Sequence, residues 1–131
     1  MDDAGTKLVS LFDGHGNNGH VVAHAAMLAL PSLLLPNNKK APMTSKFLSD
    51  VILKLDRTIP RVPGSGATSI VMVQQDSKLF VANLGDSFGF VAEYSDGVTK
   101  IIHQTKPHKP HLLEERQRIE RAGGRILLPP G

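Results

Sequence analysis

Residues 11–16, Leu-Phe-Asp-Gly-His-Gly, set a carboxylate, two glycines and an imidazole at the point where an apolar run ends. A strand over 7–12 would carry Asp13 to its mouth. Gly14 and Gly16 let the chain turn tightly there and expose a main-chain carbonyl. Oxygen donors in such a turn suit a hard divalent cation, and a carboxylate beside an imidazole suits metal-assisted hydrolysis. A second carboxylate, Asp86 in Gly85-Asp86-Ser87, also follows a β-rich run, so two strand ends each offer an aspartate.

The elements that must position these groups are legible along the chain. Asn17 or Asn18 is placed to cap a helix carrying Val21, Val22, Ala25, Leu28 and Ala29 on one face, with Pro31 expected to break it. Thr44 or Ser45 can cap a second helix that turns Phe47, Leu48, Val51, Ile52 and Leu55 inward, ended by Pro60 and Pro63. From Thr68 the period changes to two. Short β-rich runs at 69–75, 78–84, 88–94 and 98–102 are separated by turns, with hairpins expected at Asp76-Ser77 and Ser95-Asp96-Gly97. A polar helix over 112–122, with Leu112, Glu115, Ile119 and Ala122 on one side, stops at Gly123-Gly124.

At 131 residues and 40% hydrophobic content the chain has the size and apolar material of one domain. Its formal charge is +3, but acidic residues are interspersed among the basic ones, which reads as a solvated surface and speaks against a nucleic-acid stripe. There is no cysteine, which excludes disulfides, thiolate metal sites and a cysteine nucleophile. The opening Met-Asp-Asp-Ala-Gly-Thr-Lys lacks an apolar core of the secretory kind, and the apolar stretch at 21–35 is interrupted and too short for a membrane span. A soluble intracellular protein of cytoplasm or nucleus, without membrane or nucleic-acid partners, is the expectation.

Two glycine motifs invite other readings. Gly14 to Gly19 spells G-x-G-x-x-G, the dinucleotide fingerprint, but no strand ending in an acidic residue follows the helix, and the downstream hairpins favour antiparallel pairing. Residues 64–69 lack the Gly-Lys-Ser/Thr ending of a phosphate loop and read as a flexible entry into a strand. His20 and His24, four apart on a helix, have no third ligand nearby and read as a surface pair. His108 and His111, among prolines, read as loop residues.

Four blocks together resemble the metal-dependent protein phosphatases of type 2C: Phe12-Asp13-Gly14-His15-Gly16; Ser65-Gly66-Ala67-Thr68; Val81-Ala82-Asn83-Leu84-Gly85-Asp86-Ser87; and His108-Lys109-Pro110 with Glu114-Glu115-Arg116 and the run Ile119 to Gly124. The resemblance implies an α+β fold, an antiparallel β-sandwich flanked by helices in four αββα layers, of which this chain would be the N-terminal part. It implies a serine/threonine phosphatase in which a water bridging two Mg²⁺ or Mn²⁺ ions attacks a phosphorylated protein substrate. By position Asp13 would bridge both ions, Gly14 would offer its carbonyl, His15 would be the general acid, and Asp86 would hold a further, weaker metal. Met1-Asp2-Asp3 resembles the family's Met-Glu-Asp, which places Asp2 where a glutamate helps hold a metal.

Phe88 stands where the family has an arginine. Family domains are longer and draw further metal-binding aspartates from a C-terminal half. Residues 1–131 are therefore expected to form a single, incomplete domain with a partial metal site and weak or no turnover of its own. The alternatives are a catalytically dead relative that binds phosphoproteins or other partners and, more distantly, a dinucleotide-binding domain.

Overall fold

The computed structural model describes residues 5–34 and 42–127. Strand β1 (Lys7–Leu11) leads through the Asp13 turn to a two-residue strand β2 (Gly14–His15) and helix α1 (Gly19–Leu34). Helix α2 (Ser45–Thr58) follows, then β3 (Gly66–Ala67), β4 (Ser69–Gln75), β5 (Lys78–Leu84), β6 (Phe90–Ser95), β7 (Val98–Gln104) and helix α3 (Leu113–Arg121). All pairings are antiparallel: a sheet in the order β1-β4-β5, the small β2-β3 pair and the β6-β7 hairpin.

The register sorts the main sheet into two faces. Leu8, Val73 and Phe80 align across one row, and Val71 and Ala82 across the next; all five join the core that α1 and α2 close. Their neighbours Val9, Leu11 and Leu79 point to the opposite face and are exposed, Val9 by 66%. Ile70 on that face is buried because the loop through Gly89 lies on it, a Cβ there falling 2.7 Å from Met72 Cε and 3.4 Å from Ile70 Cγ2.

Helix α2 has the expected phase, burying Leu48, Val51 and Leu55 with Phe47 and Ile52 half-buried. Thr44 Oγ1 accepts from Phe47 N–H at 3.1 Å and caps it. Thr44→Ala should cost about 1 kcal/mol, read as a lower urea midpoint with unchanged slope; an unmoved midpoint would contradict the capping role.

Helix α1 departs from expectation twice. Its buried residues are Gly19, Val22, Ala26, Leu30 and Leu34, whereas Val21 and Leu28 are exposed, Leu28 by 63%. The helix is apolar nearly all round, so its pattern carries little phase information. It also runs through Pro31 to Leu34. Proline removes one bond to the carbonyl four residues back, but Pro31 and Met27 both lie on the exposed side, where water can serve that carbonyl, while burial of Leu30 and Leu34 holds the last turn in place.

Strands β4 and β5 begin and end where the pattern places them. The second hairpin is shifted: β6 starts at Phe90 and β7 extends to Gln104, with a register shift between Val91 and Ala92. Thr105 closes its base, donating N–H to Gly89 O (2.8 Å) and accepting from Gly89 N–H (2.9 Å). Asp96 and Gly97, at φ 51 and 79, make the tight turn at its tip. Helix α3 ends as expected: Gly123 (φ 79) and Gly124 donate to Glu120 O and Ile119 O, a Schellman closure. Arg118 pairs with Glu115 and holds that carboxyl below its usual range.

Candidate functional site

The ends of β1 and β5 deliver two loops to one place, and Thr68, the single residue between β3 and β4, joins them. Its N–H donates to Asp13 O at 2.9 Å, and its Oγ1 accepts from Asp13 N–H at 3.3 Å. The same Oγ1 lies 2.5 Å from Ser87 Oγ. Thr68 is only 8% exposed, so these bonds are sheltered from water. The turn carrying Asp13 and the loop carrying Asp86 are thus tied to one buried side chain, while both aspartates stay exposed.

Alternation in an antiparallel ladder then fixes Gly14. Because Asp13 accepts from Thr68 N–H, the next pair, Gly14 with Ala67, is non-hydrogen-bonded, and the Gly14 carbonyl points away from β3. Gly14 has no room for a side chain: a Cβ would stand 2.3 Å from Gly19 O at the start of α1. Gly16 (φ 80) is equally constrained, a Cβ lying 2.1 Å from Gly64 O. The small residues at 14, 16 and 19 therefore allow β2, α1 and the 64–66 loop to touch backbone to backbone. This is what the G-x-G-x-x-G spacing does here. The helix α1 is followed by a second helix and an antiparallel sheet, which do not build the parallel βαβ unit of a dinucleotide site.

His15 pairs with Gly66, and the Cε1 and Nε2 atoms of its exposed ring lie 2.8 Å from where a Cβ on that glycine would sit. On the far side, Gly85 (φ 96) packs against Thr68 Cγ2. Its amide donates to His108 Nδ1 (3.4 Å), and its carbonyl accepts from His108 N–H (2.9 Å). Asn83 Nδ2 donates to Lys106 O at 2.9 Å, fastening the segment after the second hairpin to the end of β5, just before the Asp86 loop.

Asp13, Gly14, His15 and Asp86 are thus carried by loops that share the Thr68 link, whereas Asp2 lies outside the described residues. Among the described residues no three His, Asp or Glu side chains converge as a metal site. The donors present are oxygens on two exposed aspartates and one outward carbonyl, which fit a hard cation as part of a larger ligand set. Thr68 and His108 are the residues that local reading undervalued. Thr68 reads locally as part of a flexible strand entry and His108 as a plain loop residue, yet each braces an aspartate-bearing turn. His20 and His24 are exposed on α1, as expected for a surface pair.

The fold is that of a known phosphatase group. The structure matches a PPM Ser-Thr phosphatase, MsPP from Mycobacterium smegmatis in complex with cacodylate, with a TM-score of 0.54 and 18% identity over 82% of this chain and 49% of that one. In sequence the chain is 34% identical to "Probable protein phosphatase 2C 61" of Arabidopsis thaliana, over 92% of this chain and 40% of that protein. It is 33% identical to "Protein phosphatase 1L" of Bos taurus, over 92% of this chain and 36% of that protein. The chain thus spans about 40% of the length of such curated relatives. A family description, protein phosphatase 2C, matches residues 4–128. With the match running over nearly the whole sequence, the chain belongs to the protein phosphatase 2C family.

Proposed function

We propose that this chain supplies the Asp13 half of a Mg²⁺- or Mn²⁺-dependent protein serine/threonine phosphatase site. The observation that carries the reading is the buried Thr68 link, which holds the Asp13-Gly14-His15 turn and the Gly85-Asp86-Ser87 loop at one end of the sheet. The carboxylate of Asp13 and the carbonyl of Gly14 would hold the cations, with Asp86 serving a further ion and Asp2 supporting the site. Bound there, such ions supply Lewis acidity that acidifies water and offsets phosphoryl charge.

The chain's own residues do the rest. Asp13 would hold the cations through its carboxylate oxygens, on a turn that the Thr68 bonds to its backbone keep in place. His15, held by its contact with Gly66, presents an imidazole that can protonate the departing serine or threonine alkoxide. A phosphorylated protein is the substrate class, approaching from solvent because Asp13, His15 and Asp86 are all exposed. Among the described residues no helix is long and apolar enough to cross a membrane.

The test is release of phosphate from a phosphothreonine peptide with and without Mn²⁺, by the parent and by Asp13→Asn. Because the chain supplies only part of the site, release is expected to be slow, to require Mn²⁺ and to be lost in Asp13→Asn. Release indifferent to both the metal and the substitution would refute the reading. Phosphopeptide binding without any release would favour the catalytically dead relative.

A further inference from the structure

Beside His15 lies a cleft that the metal-site reading leaves unused. It occupies about 410 Å³ between the end of α2 and the β2-β3 pair, with His15, Val22, Ile59, Val62 and Ala67 among its walls and Asp56 and Arg61 bordering it. The wall that residues 60–65 form is prebuilt. Pro60 and Pro63 fix their own φ angles, and Val62 O accepts from Ser65 N–H at 3.1 Å across a Pro63-Gly64 turn with Gly64 at φ 66. Ser65 Oγ in turn accepts from Asn18 N–H at 3.0 Å, anchoring this loop to the start of α1. A ligand lying here meets a surface that is already ordered, which lowers the entropic cost of binding.

The cleft's size and charge indicate what fits. A volume of about 410 Å³ is roughly 7 Å across, the reach of about two residues of extended chain. His15 belongs both to the candidate site and to the cleft wall, so a peptide whose phosphoresidue sits at His15 would pass its neighbouring residues into it. Val22, Ile59, Val62 and Ala67 give the cleft's lining an aliphatic part. Arg61 Nη2 meets Asp56 Oδ2 at 3.3 Å, with both side chains mostly exposed. Such a pair is weak in water and engages only Nη2, which leaves the other N–H groups of the guanidinium to receive a ligand carboxylate.

We propose that this cleft receives the residues flanking the phosphoresidue of a peptide substrate, an aliphatic side chain against Val22, Ile59 and Val62 and an acidic one on Arg61. Arg61 is then a specificity-determining residue that selects acidic phosphopeptides. The inference rests on the phosphatase reading of the Asp13 turn and His15, and its test separates the two.

Fluorescence anisotropy with Mn²⁺ present would compare three labelled peptides on the whole chain. Two carry phosphothreonine followed by valine and then either glutamate or lysine, and the third is the glutamate peptide without phosphate. The parent is expected to bind the glutamate phosphopeptide about fivefold or more tighter than the lysine one, as a charge-assisted contact provides. Arg61→Glu, an exposed change, should reverse that order. Equal affinities in the parent, an order unchanged in Arg61→Glu, or no binding of any peptide would overturn the inference. If the order reverses but the unphosphorylated peptide binds equally well, the role of Arg61 stands and the phosphatase reading fails. Phosphate-dependent binding without the glutamate preference has the opposite meaning.

Discussion

Gly14→Ala is expected to lower stability by about 3 kcal/mol or more, seen as a fall in melting temperature of about 10 °C or more for a chain of this length. The added methyl would meet Gly19 O at 2.3 Å and Gly19 C at 2.4 Å, both backbone atoms that no rotamer change can move aside. Relief requires β2 to separate from the first turn of α1, which pulls Val22 and the residues after it away from the core. Gly97→Ala is the control. Its Cβ meets nothing within 4 Å, so only the cost of a left-handed backbone at φ 79 applies, about 1–2 kcal/mol. If both variants melt alike, the close approach of Gly14 and Gly19 does not hold the Asp13 turn. The same glycine that permits this contact presents its carbonyl outward, so the fold and the candidate metal site rest on one position.

Thr68→Val should cost about 1–3 kcal/mol and weaken Mn²⁺ binding about tenfold, the scale typical of residues that orient metal ligands without touching the metal. Valine keeps the shape but removes Oγ1, leaving Asp13 N–H and Ser87 Oγ without the partner they share. The bond from Thr68 N–H to Asp13 O survives, so β3 still pairs with the turn and the loss falls on alignment of the Asp13 and Asp86 loops. Thr68→Ser retains the hydroxyl and should recover most of the affinity. Calorimetry on the three proteins reads this directly, and parent-like Mn²⁺ affinity in Thr68→Val would remove Thr68 from the account of the site.

What the sequence shows and what it hides follow from the range of the interactions. The β4-β5 hairpin was legible because a period of two and the Asp76-Ser77 turn are local signals, and the structure pairs Gln75 with Lys78 around that turn. The face of α2 was legible for the same reason, its apolar residues recurring at helical spacing among polar ones. The face of α1 was not, because alanine, valine and leucine surround it and only contact with α2 and the β2-β3 pair decides which side is buried. Pro31 misled in the same way: a local penalty was outweighed by burial of Leu34. At the site, Asp13, Gly14 and Asp86 stood out as chemistry at strand ends. Thr68 did not, because its partners lie 55 and 19 residues away and a threonine at a strand entry has no distinctive local pattern. The brace that His108 gives Gly85 is hidden for the same reason, spanning 23 residues.

Asp13 is proposed as the carboxylate that gathers divalent cations at the mouth of β1. Calorimetric titration of Mn²⁺ into the parent and into Asp13→Asn addresses this without requiring turnover. Asparagine keeps the size of the side chain and the backbone bonds to Thr68 while removing the charge. The account predicts saturable Mn²⁺ binding by the parent and none above background by Asp13→Asn, with both proteins melting at the same temperature without metal. Equal Mn²⁺ binding by the two would contradict it.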